Sequence, residues 1–239
     1  WNTKCGIACY VASLISDLDQ EISILCPLDT KVTNTENEKI FPCWDLDNSK
    51  QNFDQLLIHV KEENITTLLI QFNYGFYSFS KLSELIKELQ ILDINLIVQL
   101  HATIDPSEDN SKKLYLLKDS LQLCSRLLVH TIDDLNRLKK IGLINNVMLF
   151  PHAINNYEPK NNYIKYVKNF FPLKRVFQIA TFGFCLPNKG YKELLQAIKI
   201  LRNKNLNIKL TIFSALYNKD YDWFYEDLLE LTSELDLDN

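Results

Sequence analysis

Residues 65–100, ITTLLIQFNYGFYSFSKLSELIKELQILDINLIVQL, read as one strand–helix–strand unit. Positions 65–72 and 94–100 are short, nearly continuous apolar runs, the pattern of strands covered on both faces of a parallel sheet. Between them Leu82, Leu85, Ile86 and Leu89 fall at i, i+3, i+4 and i+7, which places them on one face of a helix. Parallel neighbours joined by a helix require a crossover, and the right-handed one is almost universal.

Outward from this unit the pattern repeats. Apolar or β-rich runs stand at 21–26, 126–131, 146–151, 175–184 and 207–213. Helical stripes alternate with them: Leu114, Leu117, Leu121 and Cys124, then Leu194, Leu195, Ile198 and Leu201. His59 falls within a further amphipathic helix. The alternation predicts an α/β protein of doubly wound parallel sheets, whose ligands bind at the carboxyl ends of the strands. After the run that ends in Phe150-Pro151-His152, the cluster Asn155, Asn156, Pro159, Asn161 and Asn162 marks a linker. The expected organisation is a first α/β domain over 1–154, a linker over 155–174 and a second domain over 175–239. The opening residues 1–6 read as the loop that follows a first strand, and the second domain has two strands. The chain is therefore expected to be a fragment, truncated at both ends.

Composition narrows the function classes. Of 239 residues 46% are apolar and 11% aromatic, ample for a packed core, and mean hydropathy is near zero. No run approaches the roughly 18 apolar residues of a membrane helix, and a disordered chain is excluded. The six cysteines, at 5, 9, 26, 43, 124 and 185, lack the C-x-x-C spacing of a zinc site and read as reduced thiols of a cytosolic protein. The four histidines do not cluster along the sequence at metal-ligand spacing either, so no metal site is expected.

Charge is segregated: residues 1–150 carry 14 bases and 20 acids, 151–219 carry 12 and 2, and 220–239 carry 0 and 8. The basic block suits a nucleotide phosphate or an anionic membrane face, as well as a plain solvated surface. With 22 Lys and 4 Arg, the guanidinium forks that read bases are scarce, and nucleic acid is not an expected partner. The 23 Asn read as compositional bias. No G-x-S-x-G, G-x-G-x-x-G or P-loop is present.

Four ordered segments carry a resemblance: 2–8 (NTKCGIA), 70–76 (IQFNYGF), 128–131 (LVHT) through 147–152 (VMLFPH), and Phe182-Gly183-Phe184 with Pro187-Asn188-Lys189-Gly190. Together they resemble the GT-B glycosyltransferases, specifically glycosyltransferase family 4, a retaining, nucleotide-sugar-dependent group. The resemblance implies two Rossmann-like doubly wound parallel-sheet domains, the second incomplete. It implies that His101, just past the strand ending at Leu100, is the catalytic residue facing the transferred sugar, and that Gln71, Asn73 and Gly75 form the acceptor-side wall. It assigns the donor phosphates to Lys189 and Gly190, where a cation meets a helix N-terminus, and to Gly6, which shapes the loop before the first helix. His130 and His152 are expected at interdomain or structural positions.

One departure stands out: where many members place an Arg beside the glycine, this chain has Phe184 after Gly183. Glu226 and Glu234 show the spacing of the family's glutamate pair but follow the run 207–213 directly and read as a solvated helix face. The resemblance implies transfer of a hexosyl group, mannosyl or glucosyl, from a nucleoside-diphosphate sugar to a saccharide or glycolipid acceptor. No cofactor and no metal are expected. The expected setting is cytoplasmic, with any membrane contact peripheral. A glycosyltransferase-like binding or scaffold domain without catalysis is the alternative, and an unrelated Rossmann-like nucleotide-binding protein a third reading.

Overall fold

A computed structural model describes residues 5–16, 18–30, 38–153, 176–216 and 219–238. The chain divides into two compact units, Trp1–Asn155 and Asn156–Asn239. The expected linker at 155–174 lies outside the described residues.

In the first unit, helix α1 (Gly6–Ile15) precedes strands β1 (Ile22–Pro27) and β2 (Glu38–Trp44), which pair in parallel. Helix α2 (Asp54–Glu62), β3 (Thr67–Phe72), α3 (Phe79–Ile91) and β4 (Asn95–Leu100) follow. Next come α4 (Lys118–Leu121), β5 (Arg126–Val129), α5 (Ile132–Lys140) and β6 (Val147–Leu149). β3, β4, β5 and β6 lie side by side in chain order, every pair parallel. Their carboxyl ends therefore line one edge, and the loops that leave them are neighbours.

The core follows the sequence stripes. Leu82, Ile86 and Leu89 of α3, Leu96 and Val98 of β4, Phe72 of β3, and Leu127 and Val129 of β5 are fully buried in one cluster. Two elements depart from the sequence expectation. β2 was hidden because its apolar run holds Pro42, a residue that sheets tolerate at an edge, and its partner β1 borders no other strand among the described residues. The stripe 114–124 folds as a 3-10 turn, Leu114–Leu117, running into the single turn of α4, because a spacing of three suits the tighter helix as well as the wider one. Leu114, Leu117, Leu121 and Cys124 are all buried as the stripe requires.

Among the described residues the second unit holds β7 (Phe177–Phe184), α6 (Tyr191–Asn203), β8 (Ile208–Ala215) and α7 (Asp222–Glu234), with β7 and β8 parallel and in continuous register. Cys185, Tyr191, Leu195, Phe224 and Leu228 form its small core. Glu226 and Glu234 are exposed on α7, the solvated face expected of them.

Helix termination explains part of the asparagine and aspartate content. α2, α3, α6 and α7 each end in a left-handed residue, Asn64, Asp93, Asn205 and Asp236, with φ between 51° and 60°. The following amides of Ile65, Ile94, Leu206 and Leu237 reach back to Val60, Leu89, Leu201 and Thr232 at 3.0–3.2 Å. This six-to-one bond is the Schellman closure, normally a glycine site, and asparagine and aspartate are the next most tolerant residues there. Gly142, at φ 89°, does the same after α5. With only 5 Gly in the chain, these Asn and Asp side chains do the turning.

Candidate functional site

The carboxyl edge of the four-stranded sheet gathers polar side chains out of an apolar core. Register places Gln71 of β3 beside Gln99 of β4, and the period of two along a strand puts His101 on the same face as Gln99. His101 leaves β4 with its amide held by the Phe72 carbonyl at 3.0 Å. Its Nε2 lies 2.7 Å from Gln71 Oε1, and its Nδ1 lies 3.3 Å from His130 Nε2. His130, one residue past β5 and 9% exposed, has Nδ1 2.9 Å from the Phe150 carbonyl. A carbonyl only accepts, so His130 Nδ1 carries the proton and donates it. His152 stacks on His130 with ring centroids 3.6 Å apart and planes 16° from parallel.

Tyr10 of α1 stands nearly perpendicular to all three imidazoles, at centroid distances of 5.5, 5.7 and 4.9 Å. Its hydroxyl accepts a 2.9 Å bond from Gln99 Nε2. Burial, then the neighbouring His130 and His152, push the pKa of His101 down to about 4. His152 is lowered by burial and by His130. His101 is thus a neutral imidazole at physiological pH. Among the described residues, Gln71 Nε2 and Gln99 Oε1 are buried without a hydrogen-bond partner.

A second network ties together the loops that carry these histidines. Thr131 caps α5 by accepting from the Asp134 amide at 3.1 Å, and Asp134 accepts from Thr103 at 2.5 Å, Thr131 at 2.6 Å and Arg137 at 2.7 Å. Partial burial raises the Asp134 pKa, but the hydrogen bonds from Thr103 and Thr131 and the Arg137 charge outweigh it, leaving the carboxyl below its ordinary value. Thr103 lies two residues past His101 and Thr131 one past His130, so this carboxylate fixes both loops at once.

The remaining expected site residues are placed as follows. Asn73 and Gly75 form a turn in which Asn73 Oδ1 accepts the Gly75 amide at 3.1 Å. Of the three expected acceptor-side residues, Gln71 alone joins His101. Gly6 opens α1 with open space around its Cα. In the second unit, Lys189 ends a 3-10 turn, Pro187–Lys189, and is exposed. Gly190, at φ 74°, is the N-cap of α6, a backbone turn that an L side chain rarely adopts. Lys189 therefore stands at the positive end of a 13-residue helix, as the sequence predicts.

Sequence reasoning gave no chemical role to Tyr10, Gln99, His130 and His152. The signal for the histidines was present: His101 and His130 each stand one residue past a strand, and His152 three past β6, so adjacent parallel strands bring them together.

No protein-family model matches the chain, and no curated protein matches it in sequence. Solved structures do. Sucrose-phosphate synthase from Thermosynechococcus elongatus superposes with a TM-score of 0.68 at 10% identity, over 98% of this chain and 63% of that one. OtsA in its apo form gives 0.53 at 16% identity, over 75% of this chain and 46% of that one. The chain has the GT-B glycosyltransferase fold, α/β with parallel Rossmann-like sheets. It spans less than two thirds of the length of either structure. Among the described residues no helix is long and apolar enough to cross a membrane.

Proposed function

We propose that this chain belongs to a retaining glycosyltransferase that moves a hexosyl group, mannosyl or glucosyl, from a nucleoside-diphosphate sugar to a saccharide or lipid-linked acceptor. The observation that carries the reading is His101, a neutral imidazole held by Gln71 at the carboxyl end of β4 in a GT-B fold. A neutral ring faces the sugar without placing a competing positive charge where the anomeric carbon becomes cationic. Gln71 orients that ring, and Asn73 and Gly75 shape the turn on the acceptor side.

Departure of the diphosphate leaves negative charge, and groups that meet it there stabilise the transition state more than the ground state. Lys189 and the N-terminus of α6 supply that charge, with Gly190 allowing close backbone approach. The acceptor enters on the face that the diphosphate leaves, so configuration is retained without a protein nucleophile. No metal enters this scheme. The expected setting is cytoplasmic, with peripheral membrane contact where the acceptor is a glycolipid.

Phe184, standing where an Arg would add to the phosphate contacts, favours a second reading, a glycosyltransferase-like binding or scaffold domain without catalysis. Binding and hydrolysis of GDP- and UDP-sugars by the full-length protein separate the two. Turnover that falls in His101→Ala, with diphosphate affinity that falls in Lys189→Ala, supports transfer. Binding without turnover supports the second reading, and a folded protein that binds no sugar nucleotide overturns transfer and leaves the scaffold.

A further inference from the structure

We propose that His101, His130 and His152 form a binding site for a borderline divalent cation, with Zn²⁺ the best match. One ring nitrogen from each lies within 4.8 Å of the other two. The inference rests on which nitrogens carry protons. His130 Nδ1 donates to the Phe150 carbonyl, which leaves Nε2 bare in the neutral ring. Gln71 presents Oε1 to His101 Nε2, which must then carry the proton, and this leaves Nδ1 bare. In these tautomers the two bare nitrogens stand 3.3 Å apart.

Two lone pairs at that distance need something positive between them. A metal ion is suited to the gap: two nitrogens bound tetrahedrally at about 2.0–2.1 Å from zinc stand about 3.3–3.4 Å apart. The outer contacts are also those of metal-bound histidines, whose second ring nitrogen donates to a carbonyl or carboxyl oxygen and is thereby fixed in tautomer and direction. Phe150 and Gln71 supply one such oxygen each.

His152 completes the set. It is exposed and stacked on His130, with a ring nitrogen already within 4.8 Å of the other two, and coordination requires that ring to tilt out of the stack. Three imidazoles leave one coordination position open. Imidazole ligands suit zinc, copper and nickel over magnesium or calcium, which separates this site from the ions that accompany phosphates. A cation here takes His101 Nδ1 while Gln71 holds Nε2, so the metal-bound ring is distinct from the neutral ring proposed to face the sugar. The metal site does not rest on the transferase reading.

The alternative is a metal-free chain of protons. In it Gln71 turns its amide over, its NH₂ donates to His101 Nε2, and His101 Nδ1–H donates to His130 Nε2. Zinc titration of the metal-stripped full-length protein against a chromophoric chelator, with Co²⁺ absorption as the geometric readout, decides between the two. The expected result is one equivalent bound, with the intense visible bands of a four-coordinate ion. His101→Ala should abolish those bands. His152→Ala, at an exposed position that tolerates change, should weaken binding by about 10- to 100-fold, and Gln71→Ala, which removes an outer-shell oxygen, by a similar factor. Gln71→Glu should tighten it, because a carboxylate accepts from His101 Nε2–H more strongly than an amide does.

No stoichiometric binding by the folded protein overturns the site, as does binding that persists unchanged in His101→Ala and His152→Ala. Because the titration uses no sugar nucleotide, its failure is distinct from failure of the transferase reading.

Discussion

The two places where this chain gathers polar chemistry are built on opposite principles. At the edge of the four-stranded sheet, His101, His130, Gln71 and Gln99 sit over a large core, with Gln71 on His101, His101 against His130 and Gln99 on Tyr10. Their strength comes from desolvation and geometry. In the second unit, Lys189 and Gly190 stand at an exposed helix start over a small cluster of buried residues, among those described Cys185, Tyr191, Leu195, Phe224 and Leu228. What they offer is charge and open backbone. A buried neutral site suits a ligand whose hydroxyls must be aimed, and an exposed cationic one suits an anion that arrives and leaves through water.

The largest test of that contrast is packing. Leu82 is fully buried in the first core, and Leu195, at 5% exposed, belongs to the smaller second one. Leu82→Ala is expected to cost about 2–5 kcal/mol. Leu195→Ala is expected at the lower end of that range, because fewer neighbours surround the cavity. Denaturant unfolding followed by circular dichroism gives both values, and equal losses would show that the second unit is supported as firmly as the first.

A smaller effect is expected at the charged site. Lys189→Ala should weaken nucleoside-diphosphate binding about tenfold, the scale of one hydrogen bond to a charged group. Raising salt from 50 to 500 mM should erase most of the difference, since an exposed cation is screened. Lys189→Arg should restore affinity. Calorimetric titration at the two salt concentrations checks this, and a loss insensitive to salt would mean that Lys189 acts by shaping the turn before Gly190 instead of by its charge.

Much of this was legible in the sequence, for particular reasons. The β3–α3–β4 unit was readable because its strands are buried on both faces and its helix on one, so hydrophobicity alone encodes the element. β2 was not, because Pro42 interrupts the run and polar residues flank it. His101 could be picked out because a polar residue directly after an apolar strand lies where parallel sheets expose their ligand groups. The cluster around it was not, since it needs the order of β4, β5 and β6 across the sheet, and Tyr10 arrives 91 positions earlier in the chain. The Schellman closures belong between these cases: the motif is local, yet Asn in place of Gly made it look like composition.

That local motif yields the smallest effect and links the two regions, because it occurs in both. Asn64 in the first unit and Asn205 in the second hold φ of 51° and 60°. A Cβ-bearing residue without asparagine's side-chain amide pays about 1–2 kcal/mol there. Asn64→Ala and Asn205→Ala are each expected to destabilise the protein by about 1 kcal/mol, whereas the glycine variants should be close to neutral or slightly stabilising. Thermal unfolding of the four variants provides the measurement. If alanine were tolerated at both sites, the left-handed turns would be following from packing of Ile65 and Leu206 instead of directing it. If it were tolerated only at Asn205, the second unit would have room to let its helix end relax, as its smaller core leads one to expect.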